Sequence, residues 1–177
     1  AFDRVAASDV DRMETTSLLG KSEMILVSGY CGIGKSTLVR EIYKPITRQR
    51  GYFITGKFHN LHNKNNPYSS LIKAFQELIK QILTGSEAEI KNWRSHLLTA
   101  LGDKGQIIIN AIPEVELIVG KQNPLPELPS AKSPNCFDLV FQNFIKVFAT
   151  PEHPLVIFLD DLQWADAASL KLIQRLM

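Results

Sequence analysis

Residues 29–36 read Gly29-Tyr30-Cys31-Gly32-Ile33-Gly34-Lys35-Ser36, which matches the phosphate-loop pattern G-x-x-x-x-G-K-[ST] at every fixed position. Glycines allow positive φ angles, so consecutive backbone N–H groups can turn inward and form a nest for anions. An apolar run, Met24–Ser28, precedes the loop, and a helical pattern follows it. The N-terminus of that helix adds to the attraction for phosphate. The stretch therefore predicts a buried strand, a phosphate-binding loop and a helix in succession.

The residues of this loop have separate expected roles. Lys35 is expected to reach the β- and γ-phosphates and to act in catalysis, and Ser36 to offer its hydroxyl to Mg²⁺. The positive surroundings also suggest that the thiol of Cys31 is sensitive to oxidation without nucleotide, although an inert small side chain is the simpler alternative. The predicted nucleotide-binding residues are Gly29, Tyr30, Cys31, Gly32, Ile33, Gly34, Lys35 and Ser36.

A pair of acids follows a second apolar run, Leu155–Leu159. Carboxylates at the carboxyl end of a parallel strand face the ligand crevice of an α/β sheet. Asp160 is therefore expected to hold Mg²⁺, through water. Asp161 stands where a base or a water-orienting carboxylate belongs. Two acids after an apolar run also occur in solvated turns, so the prediction depends on the phosphate loop in the same chain.

The remaining apolar pattern alternates between strands and helices. Gly51–Phe58 has the composition of a second strand, and residues 71–83, 90–101 and 137–148 repeat apolar side chains at helical spacing. Residues 106–112 are ambiguous, because a run of three isoleucines interrupts a helical pattern. Buried strands that alternate with helices predict an α/β fold with a parallel sheet.

Local signals mark several helix boundaries and one irregular stretch. Ser86-Glu87-Ala88-Glu89 is a capping box, Asp166 can cap a last helix, and Gly85 and Gly102 are stop signals. The prolines between residues 113 and 134 predict a mostly irregular connection.

Charge, apolar run length and cysteine spacing bear on the partners and the compartment of the protein. The chain has 177 residues and a net charge of +2, which gives no support for a nucleic-acid partner. Its longest apolar run, Leu155–Leu159, is far too short to cross a membrane. The two cysteines, Cys31 and Cys136, form no C-x-x-C pair, which predicts reduced thiols in a cytoplasmic protein.

ATP is favoured over GTP as the nucleotide. Asn63-Lys64-Asn65-Asn66 lacks the acid that would recognise guanine, and the sequence contains no Asp-x-x-Gly. ATP and Mg²⁺ are therefore the expected cofactors.

With both motifs in view, the chain resembles the ATPase domain of AAA-like, STAND-type signalling NTPases. The resemblance is carried by the phosphate loop and by Leu-Asp-Asp-Leu-Gln-Trp-Ala-Asp at residues 159–166. Gly51–Phe58 and Glu152–Trp164 are also similar to the ATPase module of large bacterial, notably cyanobacterial, signalling proteins. Those proteins join a serine/threonine kinase, this ATPase, a GAF sensor and a histidine kinase.

The resemblance implies a three-layer P-loop NTPase fold with a helical insert and a Mg-ATP switch in signal transduction. It adds Thr37 to the nucleotide-binding residues and assigns Asp160 and Asp161 as the Mg²⁺ and water-activating acids. The implied partners are ATP and other domains of a larger signalling protein, and this class also allows self-association through the NTPase domain. Kinase activity would belong to those other domains.

The family's sheet has the strand order 5-1-4-3-2. Met24–Ser28, Gly51–Phe58 and Leu155–Leu159 correspond to strands 1, 2 and 3, so strand 4 is expected to be missing between the first and the last of them. The predicted organisation is a helix or linker remnant over residues 1–23. An incomplete NTPase domain over residues 24–177 follows, truncated after the acidic strand and its helix. The family's N-terminal Gly-Arg-Glu box, sensor strand, arginine finger and helical lid are absent from the sequence.

Three functions remain open on the sequence. The first is an ATP-hydrolysing switch, and the second is an ATP-binding scaffold with negligible turnover. The third, a small-molecule phosphotransferase, is disfavoured by the acidic pair and by the long helical insert.

Overall fold

The computed structural model describes residues 12–14, 22–30, 32–39, 41, 51–59, 67–124, 134–150 and 153–177. Within them, short 3-10 turns cover Gly102–Lys104, Pro113–Val115 and Leu162–Trp164. The strands and helices are β1 (Arg12–Glu14), β2 (Glu23–Ile25), α1 (residues 35–39), β3 (Tyr52–Lys57), α2 (Ser69–Leu83), α3 (Glu87–Leu101), α4 (Gly105–Ala111), α5 (Glu116–Val119), α6 (Pro134–Phe148), β4 (Leu155–Asp160) and α7 (Ala167–Leu176).

β3 and β4 form a parallel pair over their full lengths. The register runs from Tyr52 opposite Leu155 to Lys57 opposite Asp160. Parallel neighbours need a long crossover connection, and α2 to α6 lie within it. The pair confirms the predicted α/β class with a parallel sheet, as in part of a P-loop NTPase fold. It also agrees with the family's strand order, in which the second and third strands are neighbours.

The core lies mainly in the helices between β3 and β4. Phe75 of α2 is fully buried, and its ring centroid lies 5.5 Å from that of Phe144 and 5.7 Å from that of Phe141 on α6. Edge-to-face contacts of this kind add to the burial of large apolar surfaces. The predicted apolar stripes of these two helices are therefore core packing.

The carboxyl end of β3 is fixed against the first turn of α2. A Cβ atom at Gly56 would lie 2.9 Å from the backbone oxygen of Ser70, so only glycine fits this approach. Ser70 donates its hydroxyl to the backbone oxygen of Lys57 at 2.8 Å. The close contact positions the edge of the sheet at which Lys57 and Asp160 lie.

The prediction of a buried strand at Met24–Ser28 is wrong. β2 covers only Glu23–Ile25 and pairs antiparallel with β1. Ile25 is 67% exposed, and Leu26 and Val27 are also exposed. An apolar run is buried only when other elements cover both of its faces, and a two-stranded ribbon does not provide that cover.

Other segments differ from their predictions in smaller ways. Arg12–Glu14 is a short strand within the stretch that was expected to be a helix or linker remnant. β4 is half-buried along its length, because β3 is its one paired neighbour among the described residues. The ambiguous run at residues 106–112 is mostly helical, since α4 buries its three isoleucines in the core. Part of the proline-rich connection is ordered as a 3-10 turn and α5.

Candidate nucleotide-binding site

Three glycines of the predicted phosphate loop have positive φ angles. Gly29, Gly32 and Gly34 have φ angles of 152°, 82° and 94°. These angles lie in a region that side chains with a Cβ rarely enter. The loop leads directly into α1, whose N-terminal N–H groups add to an anion-binding backbone.

The ammonium group of Lys35 lies over this loop. Its Nζ donates hydrogen bonds of 2.8 Å to the backbone oxygens of Gly29 and Tyr30. A phosphate group held by the loop would offer the same ammonium a charged acceptor in place of two neutral ones. Charge-assisted bonds of that kind are stronger than bonds to carbonyls.

The other predicted loop residues are accessible. The side chains of Tyr30 and Ile33 extend into solvent, with the two residues 88% and 68% exposed. Ser36 is half-buried and Thr37 is exposed, and both are helical in α1. Cys31, and the segment Asn63–Asn66 that bears on guanine recognition, lie outside the described residues.

Asp160 is the last residue of β4, as predicted. Its backbone oxygen accepts a hydrogen bond of 3.1 Å from the N–H of Phe58, which continues the ladder to β3. Its Oδ1 accepts a bond of 3.0 Å from the N–H of Asp161. The carboxylate is thus held at the carboxyl edge of the sheet, where ligands of α/β folds bind.

Asp161 has a left-handed backbone conformation, with φ 57° and ψ 44°. Its Oδ1 accepts a hydrogen bond of 3.0 Å from Nε2 of Gln163. That bond, and after it the ammonium of Lys57, holds the pKa of the Asp161 carboxyl below its usual value. A carboxylate with a lowered pKa is a weak proton acceptor, so Asp161 is better suited to orienting water than to taking its proton.

Lys57 is a member of this site that the sequence motifs did not reveal. Its Nζ lies 3.4 Å from Oδ2 of Asp161 and 4.0 Å from Oδ2 of Asp160. The predicted strand order could have pointed to this lysine, because it makes Gly51–Phe58 and Leu155–Leu159 parallel neighbours. The carboxyl ends of such neighbours lie at one edge of the sheet.

The described residues that are predicted to form the site fall into two groups. Lys57, Asp160 and Asp161 lie together at the end of the β3–β4 pair. Among the described residues, no strand pairing, hydrogen bond or ion pair joins the loop at residues 29–37 to the acidic pair. The contribution of Ser36 and Asp160 to one shared metal site therefore stays a prediction.

The chemistry of the acidic pair fits Mg²⁺. Mg²⁺ is commonly bound by one or two carboxylates together with substrate phosphates and water. The described part of the chain contains no cluster of three or more potential ligands among His, Cys, Asp and Glu. The two carboxylates by themselves would leave most ligand positions of Mg²⁺ to water or to phosphate oxygens.

A loop with glycines at positive φ that leads into a helix, together with an acidic strand end, is typical of a P-loop type of nucleotide-binding domain. The chain belongs to the AAA ATPase domain family, whose profile matches residues 11–177.

Two relatives of this chain are histidine kinases from eukaryotes. The chain is 41% identical over 158 residues to hybrid signal transduction histidine kinase G of Dictyostelium discoideum. The aligned region covers 89% of this chain and 4% of that protein. It is 24% identical over 166 residues to histidine protein kinase 1 of Candida albicans, covering 85% of this chain and 7% of that protein. The chain therefore corresponds to a small part of each relative, and the bacterial assignment stays a prediction. No solved structure gives a significant match.

In the described ranges, every helix is too short or too polar to span a bilayer.

Proposed function

We propose that this domain binds ATP with Mg²⁺ and acts as an ATP-hydrolysing switch in signal transduction. The observation that carries the proposal is the loop at residues 29–36. It combines three glycines at positive φ, a following helix and a lysine ammonium over the loop. Each of these features favours the binding of a polyphosphate.

The residues divide the work of such a site. The loop backbone and Lys35 hold the β- and γ-phosphates, Ser36 and Asp160 hold Mg²⁺, and Asp161 orients the attacking water. Mg²⁺ supplies charge neutralisation of the transferring phosphate when it is bound. An arginine from another domain or from another copy of the chain would neutralise the remaining negative charge on the phosphates in the transition state.

The proposed setting is a larger cytoplasmic signalling protein. Membership of the AAA ATPase domain family and the kinase relatives support it. We place the domain in the STAND-type group, because its two motifs resemble that group. In such a protein, nucleotide would change the contacts between this domain and its neighbours.

Mg-ATP binding tests this proposal first. The Kd of Mg-ATP is measured by calorimetry for the native chain, Lys35→Ala and the control Lys73→Ala, whose side chain is exposed on α2. Loss of a charge-assisted bond to phosphate should weaken binding about 10- to 100-fold in Lys35→Ala. Equal affinity in all three proteins would contradict the proposal.

A second candidate is an ATP-binding scaffold with negligible turnover. The hydrogen bond from Gln163 and the ion pair with Lys57 favour it, because they occupy Asp161 and lower its pKa. A carboxylate engaged in this way contributes less as a base.

Replacing Asp161 separates the two candidates. In the hydrolysing switch, Asp161→Asn should lower kcat by about 100-fold, whereas the Kd of Mg-ATP should change by about threefold at most. In the scaffold, the native protein and Asp161→Asn show the same negligible turnover and the same Kd. Asp103→Asn, an exposed site in the turn after α3, is the matched control.

A further inference from the structure

The side chain of Lys57 lies where a cation would bind the acidic pair. Its ammonium nitrogen is 3.4 Å from Asp161 and 4.0 Å from Asp160, each measured to Oδ2. The Lys57 ammonium therefore forms ion pairs with the carboxylates of two consecutive residues. Their mutual repulsion is reduced whenever a cation stands between them.

The backbone holds this lysine in register with the acids. Lys57 is the direct partner of Asp160 in the parallel ladder, and the N–H of Phe58 donates to the Asp160 oxygen. On the other side, the hydroxyl of Ser70 donates to the Lys57 oxygen. The peptide group that joins Lys57 to Phe58 is thus held by hydrogen bonds on both sides, and movement is left to the Lys57 side chain.

The Lys57 side chain is exposed enough to move away from the two carboxylates. It is 54% exposed, and the carboxylates of Asp160 and Asp161 are 33% and 36% exposed. Ion pairs with this exposure are weak and are screened by salt. A divalent cation with further ligands of its own can therefore displace the ammonium.

We propose that Lys57 is a tethered cation that competes with Mg²⁺ for the acidic pair and makes the pair select phosphate-bound Mg²⁺ over free Mg²⁺. The selection of phosphate-bound Mg²⁺ rests on the proposed ATP-binding function. The competition between Lys57 and Mg²⁺ for the two carboxylates does not depend on that function. Free Mg²⁺ must displace the ammonium into water. Mg²⁺ that arrives with a nucleotide brings anionic oxygens, which give the displaced ammonium new partners and complete the coordination of the metal.

Mn²⁺ provides a direct probe of this competition, because its free and bound forms differ in the electron paramagnetic resonance spectrum. Mn²⁺ is titrated without nucleotide into the native chain, Lys57→Met and Lys57→Gln. Removing the ammonium should tighten Mn²⁺ binding about threefold at low salt, which is the size expected for an exposed ion pair. The difference should shrink as the salt concentration is raised.

Two further variants control for charge and for location. Lys57→Arg keeps the positive group, so its Mn²⁺ affinity should equal or fall below that of the native chain. Lys57→Met in the background of Asp160→Asn and Asp161→Asn should show no tightening. Circular dichroism of each variant, compared with the native chain, verifies that the helices are intact.

The outcomes are distinct from those of the nucleotide test. Unchanged or weaker Mn²⁺ binding in both Lys57→Met and Lys57→Gln overturns the proposal, and so does undetectable binding in all the proteins. Tightening in a chain that fails to bind ATP supports the competition, while the nucleotide function fails. If ATP binds, the preference for Mn²⁺·ATP over free Mn²⁺ should fall about threefold in Lys57→Met.

Discussion

The hydroxyl of Tyr68 donates a 2.6 Å hydrogen bond to Oδ1 of Asp138, which lies 70 residues further along the chain. Arg175 donates to the other oxygen of the same carboxylate at 2.7 Å. Tyr68 immediately precedes α2, Asp138 lies in α6 and Arg175 in the last turn of α7. The buried carboxylate therefore links three helices, one of which directly supports β3.

Removing the tyrosine hydroxyl should destabilise this link. Tyr68→Phe loses a hydrogen bond to a buried charge and keeps the ring contact with Phe137. We expect the free energy of unfolding to fall by about 1–3 kcal/mol, measured by urea denaturation. Tyr30→Phe is the matched control, since the Tyr30 residue is 88% exposed and its hydroxyl should matter little. Equal stability of the two variants would contradict the prediction.

The same tyrosine should make the protein sensitive to alkali. Burial, and after it the hydrogen bond to Asp138, raises the pKa of Tyr68 above its usual value of about 10. A raised pKa in the folded state gives stability that is fully present below the unfolded pKa and is lost as pH rises above it. The unfolding free energy of the native chain should therefore fall above about pH 10. The fall should be smaller in Tyr68→Phe, though not absent, because the pKa of Tyr52 is raised as well.

Gly56 should tolerate no side chain. In Gly56→Ala the new Cβ would lie 2.9 Å from the backbone oxygen of Ser70, which cannot rotate away. Strain of this kind costs about 1–3 kcal/mol of unfolding free energy. Thr55→Ala, at an exposed position of the same strand, should cost less than about 0.5 kcal/mol. A Gly56→Ala protein as stable as the native chain would mean that β3 and α2 can separate at this point.

The capping box of α3 can be tested with two serine variants. Ser86 accepts a hydrogen bond from the N–H of Glu89, and Glu89 accepts one in return from the N–H of Ser86. Ser86→Ala should lower the unfolding free energy by about 1 kcal/mol, as measured by thermal and urea denaturation. Ser95→Ala, in the exposed middle of the same helix, should be neutral or slightly stabilising. The prediction fails if the two variants behave alike.

Acid should weaken the same cap. Hydrogen bonds from the Ser86 hydroxyl and backbone N–H lower the pKa of Glu89. A lowered pKa in the folded state gives stability that is present above the unfolded pKa of about 4.3 and is lost as pH falls through the folded value. In Glu89→Gln this part of the acid sensitivity should disappear, as followed by helical circular dichroism against pH. An unchanged acid profile in Glu89→Gln would argue against the cap as its source.

The sequence by itself determined the features that depend on neighbours in the chain. The glycines at positions 29, 32 and 34 adopt positive φ as their spacing predicts, and Ser86 and Asp166 cap their helices. The apolar stripes of α2 and α6 are buried as predicted. These features form over a few residues, so the residue types alone carry the information.

Only the tertiary structure decided the features that join distant segments. Ile25, Leu26 and Val27 are exposed, because burial depends on which elements cover an apolar run and not on its own composition. Lys57 reaches Asp160 and Asp161, and Tyr68 reaches Asp138, through the parallel register and the helical crossover. Such contacts bring together side chains that are far apart in sequence, so their physical cause is the packing of the whole fold and not any local pattern.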